Sequence, residues 1–125
     1  RPVPLRRTVT SDFMKSLSEA VDAFAEERDW SQFHSPKNLS MALMVEAAEL
    51  MEHFQWRTEA ESANLSAEQR QAVAEELADV LIYLTRLASR LNIDLDEAAW
   101  AKLDLNKRKY PVDKARGSAK KYSEL

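Results

Sequence analysis

The sequence of 125 residues has no cysteine and a single glycine. Without cysteine, the chain can form neither a disulfide framework nor a thiolate metal site. The four prolines stand at positions 2, 4, 36 and 111, so the long interior is nearly free of helix breakers. No apolar run approaches the roughly 20 residues of a membrane span, and no stretch has the pattern of a targeting segment. These absences predict a single all-α domain with one modest core.

The basic residues are concentrated at the C-terminal end of a chain whose formal net charge is −3. Residues 102–125 contain eight Lys or Arg and three acidic residues, so this stretch carries +5 and the rest of the chain −8. A basic segment on an acidic body can be a nucleic-acid arm, a solvated tail or a clamp for the phosphates of a ligand, and from charge alone a solvated tail is the default interpretation. We divide the chain into an irregular leader (1–10), an all-α domain (11–110) and a basic C-terminal tail (111–125).

Apolar periodicity and capping residues predict four helices, and hence a four-helix bundle. Ser35 and Pro36 are an N-cap and a proline at the first helical position. Ser66 and Gln69 form a capping box, and Asp94 is a third N-cap. The predicted helices run from Ser11 to Arg28, from Pro36 to Gln55 or Trp56, from Ser66 to Leu91 and from Asp94 to just before Pro111, with a plain connector over residues 57–65.

Two pairs of carboxylates are each spaced for one helix face: Glu46 and Glu49 in the second predicted helix, Glu76 and Asp79 in the third. Residues three apart lie about one turn apart on the same face. Each pair borders the apolar stripe of its helix, so packing of the two stripes would bring four acids to one edge of the seam. Like charges there repel unless a cation lies among them, and all-oxygen ligands favour Mg²⁺ or Mn²⁺ over zinc. The alternative is an ordinary solvated face.

A di-iron bundle is the rival use of paired helical carboxylates, and it requires a Glu-x-x-His motif on two helices. Neither histidine fits that motif, because His53 is four residues after Glu49 and His34 lies outside the long helices. We therefore expect no di-iron centre, and we interpret His53 as a partly exposed helix residue.

Aromatic residues extend the edge on which the acids are expected. Trp56 is seven residues after Glu49, Tyr83 is four after Asp79, and Trp30 lies in the loop before the second helix. A planar ligand stacked on such rings gains roughly 1–3 kcal/mol per base. The structural alternative is that these rings simply pack over the end of the bundle.

A third group, at the end of the fourth helix, has side chains suited to phosphate oxygens. Lys102 and Asn106 are four residues apart on one helix face, and Arg108 and Tyr110 follow. A triphosphate can approach four carboxylates only with bound metal and protein cations. The sequence contains no Gly-rich phosphate loop and no Ser/His/Asp or Cys/His nucleophile system, so metal and side chains would hold the phosphates.

At these residues the sequence resembles the MazG-like all-α nucleoside triphosphate pyrophosphohydrolases, and within them the dCTP pyrophosphatase branch. The family's E-x-x-E followed by E-x-x-D appears as Glu46, Glu49, Glu76 and Asp79. The resemblance to the branch extends from the first helix onward, through FAEERDWSQFHSPKNL, ELMEHFQW, EELADVLIYL, DLNKRKYP and KKYSEL. The acid motif alone is moderately specific, whereas the ordered set of blocks is highly specific.

The resemblance implies a Mg²⁺-dependent homotetramer that hydrolyses dCTP, or a 5-modified dCTP, to dCMP and pyrophosphate, with Mn²⁺ as an alternative ion. The four acids would be catalytic and hold the metal, and either Glu46 or Glu49 would accept a proton from the attacking water. We expect a cytoplasmic protein with no membrane or nucleic-acid polymer as partner. The residues implied for the substrate are Trp30, Trp56 and Tyr83 around the base and sugar, His34 and Asn38 nearby, and Lys102, Asn106 and Tyr110 on the phosphates.

One position departs from the branch, which has a histidine facing the base where this sequence has Val21. Base preference is therefore open, and the alternative enzyme is a broader house-cleaning pyrophosphatase acting on several or modified deoxynucleoside triphosphates. The alternative from a different class is a non-catalytic helical scaffold that oligomerises through its apolar seams.

Overall fold

The structure is a computed structural model that describes the backbone of residues 3–125 and the side chains of residues 12–125. Throughout this part of the chain the regular secondary structure is helical, which confirms the all-α prediction. None of the helices described combines the length and apolarity that crossing a membrane requires. The helices are α1 Val3–Glu27, α2 Pro36–Glu52, α3 Glu59–Ser62, α4 Ala67–Arg90, α5 Leu95–Lys109 and α6 Val112–Ala115, with 3₁₀ turns at Ser31–Phe33 and Tyr122–Glu124.

The predicted N-caps open the helices to which they were assigned. The Ser35 side chain accepts the backbone N–H three residues later at the start of α2. Ser66 and Gln69 exchange both hydrogen bonds of the capping box that opens α4. Asp94 accepts the N–H of Glu97 at 3.0 Å and opens α5. Each cap satisfies one of the N–H groups that a helix start leaves without a helical partner.

The first helix begins earlier than the sequence predicts. α1 starts at Val3 rather than near Ser11, so the predicted irregular leader is wrong from residue 3 onward, and residues 1 and 2 lie outside the described part. Pro4 lies in the first turn of α1, where a residue without an N–H removes no helical hydrogen bond. The boundary of the basic tail at residue 111 stays a prediction.

The second helix ends sooner than predicted, at Glu52 rather than at Gln55 or Trp56. The chain tightens after Glu52, because the His53 N–H bonds to a carbonyl only three residues back, at 3.2 Å. The Arg57 guanidinium then donates to the His53 carbonyl at 2.7 Å, which satisfies a group at the end of the helix.

The expected connector contains the short helix α3. Thr58 and Glu61 form its capping box, with the Glu61 N–H donating to the Thr58 hydroxyl at 3.1 Å and the Thr58 N–H to the Glu61 carboxylate at 2.8 Å. The T-x-x-E spacing is a helix-start signal, so this element was readable from the sequence.

α4 is the central helix: it packs most extensively against α2 and also contacts α1, and α1 contacts α5. Among the described residues, the buried apolar side chains are few and mostly small, namely Ala25, Leu39 and Ala88. The chain has an accessible surface of 9620 Å², whereas a compact monomer of 14.3 kDa has about 6,800 Å². Large apolar side chains remain exposed along α2 in particular, at Met41, Met44, Val45 and Met51.

Candidate functional site

The seam between α2 and α4 brings three of the four predicted acids together. Oxygen atoms of Glu46 and Glu49 from α2 and of Glu76 from α4 all lie within 4.8 Å of one another. We call these three residues the acid cluster. The two helices pack directly against each other, so the i, i+3 pair on α2 faces the carboxylate on α4, as the helical wheel predicts.

The acid cluster is partly buried, and its negative charges oppose one another. Burial raises the pKa of Glu46 to about 7, with further contributions from the charges of Glu49, Asp79 and Glu76 and from a hydrogen bond with Glu49. Burial and the Glu49 charge likewise raise the pKa of Glu76. Asp79 does not belong to this group of converging carboxylates. Its negative charge nevertheless helps to raise the pKa of both Glu46 and Glu76.

One atom of the acid cluster has no hydrogen-bond partner. Glu76 Oε2 is buried, and no donor reaches it from the described residues. A buried carboxylate oxygen without a partner is costly unless a ligand completes its coordination. Three converging carboxylates with one such oxygen fit a hard divalent cation such as Mg²⁺ or Mn²⁺, and contain no nitrogen or sulfur donor that would favour zinc.

A cavity of about 230 Å³ adjoins Asp79. Its walls come from α1, from the loop that follows α1, and from the middle of α4. Three of the predicted substrate residues line it, together with Val21 from the position that departs from the family branch. The lining residues are Val21, Phe24, Ala25, Trp30, His34, Asp79, Ile82, Tyr83 and Arg86.

A C-terminal cap of α1 directs the loop into this cavity. Asp29 adopts the left-handed conformation, with φ of 54°. Its N–H bonds to the Glu26 carbonyl at 3.0 Å, and the Trp30 N–H bonds to the Ala25 carbonyl at 2.9 Å. These two bonds are a Schellman motif, in which Asp29 takes the place that glycine usually holds. The motif fixes Trp30 immediately after the last turn of α1.

Aromatic rings of α1 and of the loop that follows it contact one another at steep angles. The Trp30 ring lies 5.5 Å from Phe24 and 6.2 Å from His34, both in edge-to-face arrangements. Asn38, another predicted substrate residue, does not line the cavity; its amide donates to the Phe33 carbonyl at 3.0 Å. This contact ties Asn38 to the loop between α1 and α2.

Arg86, which the sequence reasoning missed, has a central place in the cavity wall. Its side chain donates to Asp22 Oδ1 at 2.7 Å, to Ser31 Oγ at 3.0 Å and to His34 Nδ1 at 3.1 Å. Ser89 Oγ donates to the other Asp22 oxygen at 2.6 Å. We call these five residues the Arg86 network.

Four predicted substrate residues lie elsewhere on this chain. Trp56 is 88% exposed, and neither it nor Lys102, Asn106 or Tyr110 lines the cavity. Lys102 is exposed on α5, and the Tyr110 ring stands edge-on to Tyr122 at 6.1 Å. Within one chain the cavity wall therefore combines Asp79 with Trp30, His34 and Tyr83. It includes neither Trp56 nor the residues predicted for the phosphates.

A second cavity, of about 290 Å³, lies between α1, the end of α4 and the start of α5. It contains none of the predicted site residues. Two of its acids are engaged in local structure, because Asp94 caps α5 and Asp96 accepts the Trp100 indole N–H at 3.2 Å.

The packed helices, the three converging carboxylates and the adjoining aromatic cavity define an all-α protein with a candidate divalent-metal site beside a candidate site for a planar ligand. The MazG-like family matches this chain over residues 41–125, and the chain belongs to that family.

Named relatives agree with that assignment. The chain is 52% identical to dCTP pyrophosphatase 1 of Homo sapiens and 51% identical to that of Rattus norvegicus, in each case over 104 residues that cover 82% of this chain and 61% of the relative. It thus spans about three-fifths of the length of these relatives. A crystal structure of a pyrophosphatase from Archaeoglobus fulgidus has a TM-score of 0.74 and 40% identity, covering 79% of this chain and 93% of that one.

Proposed function

We propose that the protein hydrolyses dCTP, and 5-modified forms of it, to the monophosphate and pyrophosphate in a reaction that depends on Mg²⁺. The observation that carries this proposal is the acid cluster, with its raised pKa values and its unpartnered Glu76 oxygen, next to a cavity lined by Trp30 and Tyr83. The names of the relatives support dCTP as the substrate and pyrophosphate release as the reaction.

Glu46, Glu49, Glu76 and Asp79 would hold the metal. When bound, a divalent cation supplies charge neutralisation for the phosphate oxygens and for the pyrophosphate that leaves. Mn²⁺ offers the same preference for oxygen ligands and is expected to substitute.

The chain's own carboxylates can take part in the proton transfer. The oxygen of a water molecule attacks the α-phosphorus, the bond from this phosphorus to the bridging oxygen breaks, and pyrophosphate departs. The water's proton passes to a carboxylate, for which Glu46 and Glu49 are the two candidates.

The cavity suits the base rather than a whole nucleotide. Its volume of about 230 Å³ is below the roughly 300–1,000 Å³ of sites that enclose a whole drug-sized ligand. Trp30 and Tyr83 offer ring faces and edges, and His34 offers a polar atom. Val21 lines the same cavity and cannot donate a hydrogen bond, which is the observation that favours broader base selectivity as the alternative.

The proposal includes a homo-oligomer, a tetramer by the family resemblance, in which partner copies supply Trp56 and the phosphate-binding residues Lys102, Asn106 and Tyr110. Two observations support it. These residues do not line the cavity of their own chain, and the accessible surface exceeds that of a compact monomer. Sedimentation should give a mass of about four chains, and a monomer that is fully active would contradict the shared site.

A hydrolysis panel tests the activity. The protein is incubated with dCTP, 5-methyl-dCTP, dTTP, dUTP, dATP or dGTP, with and without Mg²⁺, and products are separated by chromatography. We expect monophosphate and pyrophosphate in equal amounts, only with metal, and most rapidly from a cytosine nucleotide. Similar rates for all bases would favour the house-cleaning alternative, and release of inorganic phosphate would contradict attack at the α-phosphorus.

A thermal-shift series separates the enzyme from the non-catalytic scaffold. A scaffold gains no stability from nucleotide and Mg²⁺, whereas an enzyme that binds both is stabilised by an amount that rises with the logarithm of ligand concentration. The cytoplasmic location, and the absence of membrane and nucleic-acid partners, stay predictions that fit an enzyme acting on free nucleotides.

A further inference from the structure

Arg86 is a charged side chain placed almost wholly inside the protein. It is 5% exposed and lies on α4, close to the contact with α1. Burial of an arginine is costly unless a carboxylate and further acceptors satisfy its donors. Asp22 on α1 neutralises the charge at 2.7 Å, and the hydroxyl of Ser31 accepts a second N–H at 3.0 Å.

The third contact of Arg86 is made to a histidine ring. Arg86 Nε lies 3.1 Å from His34 Nδ1, and the guanidinium has donors only and stays protonated. His34 Nδ1 must therefore be the acceptor. A neutral imidazole carries one proton, so this proton is on Nε2, the other polar atom of the ring.

The charges around His34 favour its neutral form. Burial lowers the pKa of His34 below its ordinary value, and the positive charges of Arg86 and Arg90 lower it further. Arg90 also donates to the His34 backbone carbonyl at 3.2 Å, so both the ring and the backbone of this residue are held from α4. An imidazolium could not accept the Arg86 bond at all, because both of its nitrogens carry protons.

Each remaining member of the Arg86 network has a partner as well. Asp22 accepts from Ser89 Oγ at 2.6 Å with its second oxygen, and Ser31 Oγ donates to Glu26 at 3.0 Å. These bonds connect α1, the loop after it and α4. Connected polar networks of this kind favour one arrangement of the side chains they contain.

We propose that Arg86 is a positioning residue for base recognition: it fixes His34 as the Nε2–H tautomer, so that the ring donates a hydrogen bond to an acceptor atom of the base in the adjoining cavity. His34 and Arg86 both line this cavity. The acceptor would be a carbonyl oxygen or an unprotonated ring nitrogen. This inference rests on the proposed function for the identity of the ligand, but the tautomer itself does not depend on that function.

The first test is a ¹⁵N NMR spectrum of histidine-labelled protein without nucleotide. The sequence has two histidines, so the resonances that vanish in His34→Gln assign residue 34. We expect a protonated Nε2 and an unprotonated Nδ1 for His34. In the paired variant Arg86→Met/Asp22→Asn, which removes both charges together, we expect the two signals to move toward each other as the Nδ1–H form becomes populated. A wild-type His34 protonated at Nδ1, or charged at neutral pH, would overturn the inference.

The second test is a kinetic comparison in two backgrounds. Arg86→Met/Asp22→Asn should raise KM for dCTP roughly 3- to 10-fold, about the effect of one hydrogen bond, with kcat within about twofold because the acid cluster is unchanged. His34→Gln places an amide N–H near the position of Nε2. The amide is a donor whether or not Arg86 is present, because glutamine has no tautomers to be selected. In that background the paired variant should therefore raise KM less than about twofold. An equal rise in both backgrounds would mean that the network acts only on folding.

The two tests separate this inference from the proposed function. If the wild-type protein releases no pyrophosphate, the proposed function fails, and the base contact is then judged by NMR with dCMP as ligand. A shift of the His34 Nε2–H resonance on addition of dCMP would support the contact, and a resonance that does not move at saturation would refute it.

Discussion

The acid cluster and the Arg86 network both place charged groups along α4, one facing α2 and the other facing α1. In the Arg86 network opposite charges are paired, and each guanidinium nitrogen has an acceptor at 2.7–3.1 Å. In the acid cluster like charges are brought together, the pKa of Glu46 rises to about 7, and Glu76 Oε2 has no partner within the described structure. The Arg86 charge is thus balanced within the protein, whereas the acid cluster has no balancing cation among the described residues.

This difference assigns the two regions different tasks. A network of paired polar groups holds its side chains in one arrangement, and so determines the geometry of the cavity wall. Carboxylates that lie close together repel one another, and a bound cation would relieve that repulsion. Such a cluster is therefore suited to binding a cation. The cavity wall contains His34 of the Arg86 network and Asp79, whose charge acts on Glu46 and Glu76 of the acid cluster. Variants of each region can separate these two tasks.

Removal of one acid should abolish the reaction without unfolding the protein. Glu46→Ala or Asp79→Ala should lower kcat/KM by more than about 100-fold. Mutation of a residue that merely hydrogen-bonds to a metal ligand already lowers metal affinity or activity by about 10–100-fold. Far-UV circular dichroism should be unchanged. Glu75→Ala is the matched control, because this neighbouring acid on α4 is exposed and outside the acid cluster. Full activity in either variant would contradict the site.

Loss of Arg86 alone should mainly affect stability. Arg86→Met leaves Asp22 without its countercharge, and breaking a buried pair in this way costs about 3–5 kcal/mol. The Asp22 side chain is 37% exposed, so we expect the lower end of that range. Arg86→Met/Asp22→Asn should recover much of the loss in urea denaturation. Arg70→Met, at an exposed arginine of the same helix, is the control and should change stability little.

The repulsion in the acid cluster should appear as a pH dependence of the metal-free protein. The pKa of Glu46 is higher in the folded protein, about 7, than its ordinary value of 4.5. The associated stability is therefore fully present below pH 4.5 and is lost as the pH rises through about 7. Glu46→Gln should be more stable than wild type at pH 8 by on the order of 1 kcal/mol, and the difference should shrink toward pH 5.

Melting temperatures of both proteins over this pH range provide the measurement. Glu52→Gln, at an exposed residue of α2, should show a difference from wild type that does not vary between pH 5 and 8. If the difference in melting temperature between Glu46→Gln and wild type is also constant between pH 5 and 8, the carboxylates of the acid cluster do not repel one another. Addition of Mg²⁺ at pH 8 should stabilise the wild type and not Glu46→Gln.

The smallest effect is expected from the apolar wall of the cavity. Val21→His adds a hydrogen-bond donor at a position of the wall whose side chain has none, and one such bond is worth a few-fold in affinity. We expect the ratio of kcat/KM for dCTP over dTTP to rise by roughly 3- to 10-fold, with little change in kcat. An unchanged ratio would mean that residue 21 does not face the base.

Much of this arrangement was predictable from local patterns. Ser35, Ser66 and Asp94 open the helices because capping depends on residues only three positions apart. The convergence of Glu46, Glu49 and Glu76 follows from the i, i+3 spacing and the apolar stripes. The short helix α3 was also readable, from Thr58 and Glu61.

The rest depends on contacts that the sequence does not encode locally. Arg86 could have been suspected as buried because it interrupts the apolar run LIYLTRLA. Its partner Asp22, however, is 64 residues away, and no local pattern connects the two. The exposure of Trp56, and the position of Lys102 away from the cavity, depend on how distant elements pack, which no local pattern specifies.

The most direct test of the division between the two regions is a titration with Mn²⁺, followed by the loss of the free-ion signal in electron paramagnetic resonance. Wild type and Arg86→Met/Asp22→Asn should both bind Mn²⁺, because the acid cluster is intact in each. Glu46→Gln/Glu76→Gln should lose this binding while remaining folded. Binding that persists in Glu46→Gln/Glu76→Gln, or that disappears in Arg86→Met/Asp22→Asn, would contradict the assignment of the acid cluster as the metal site.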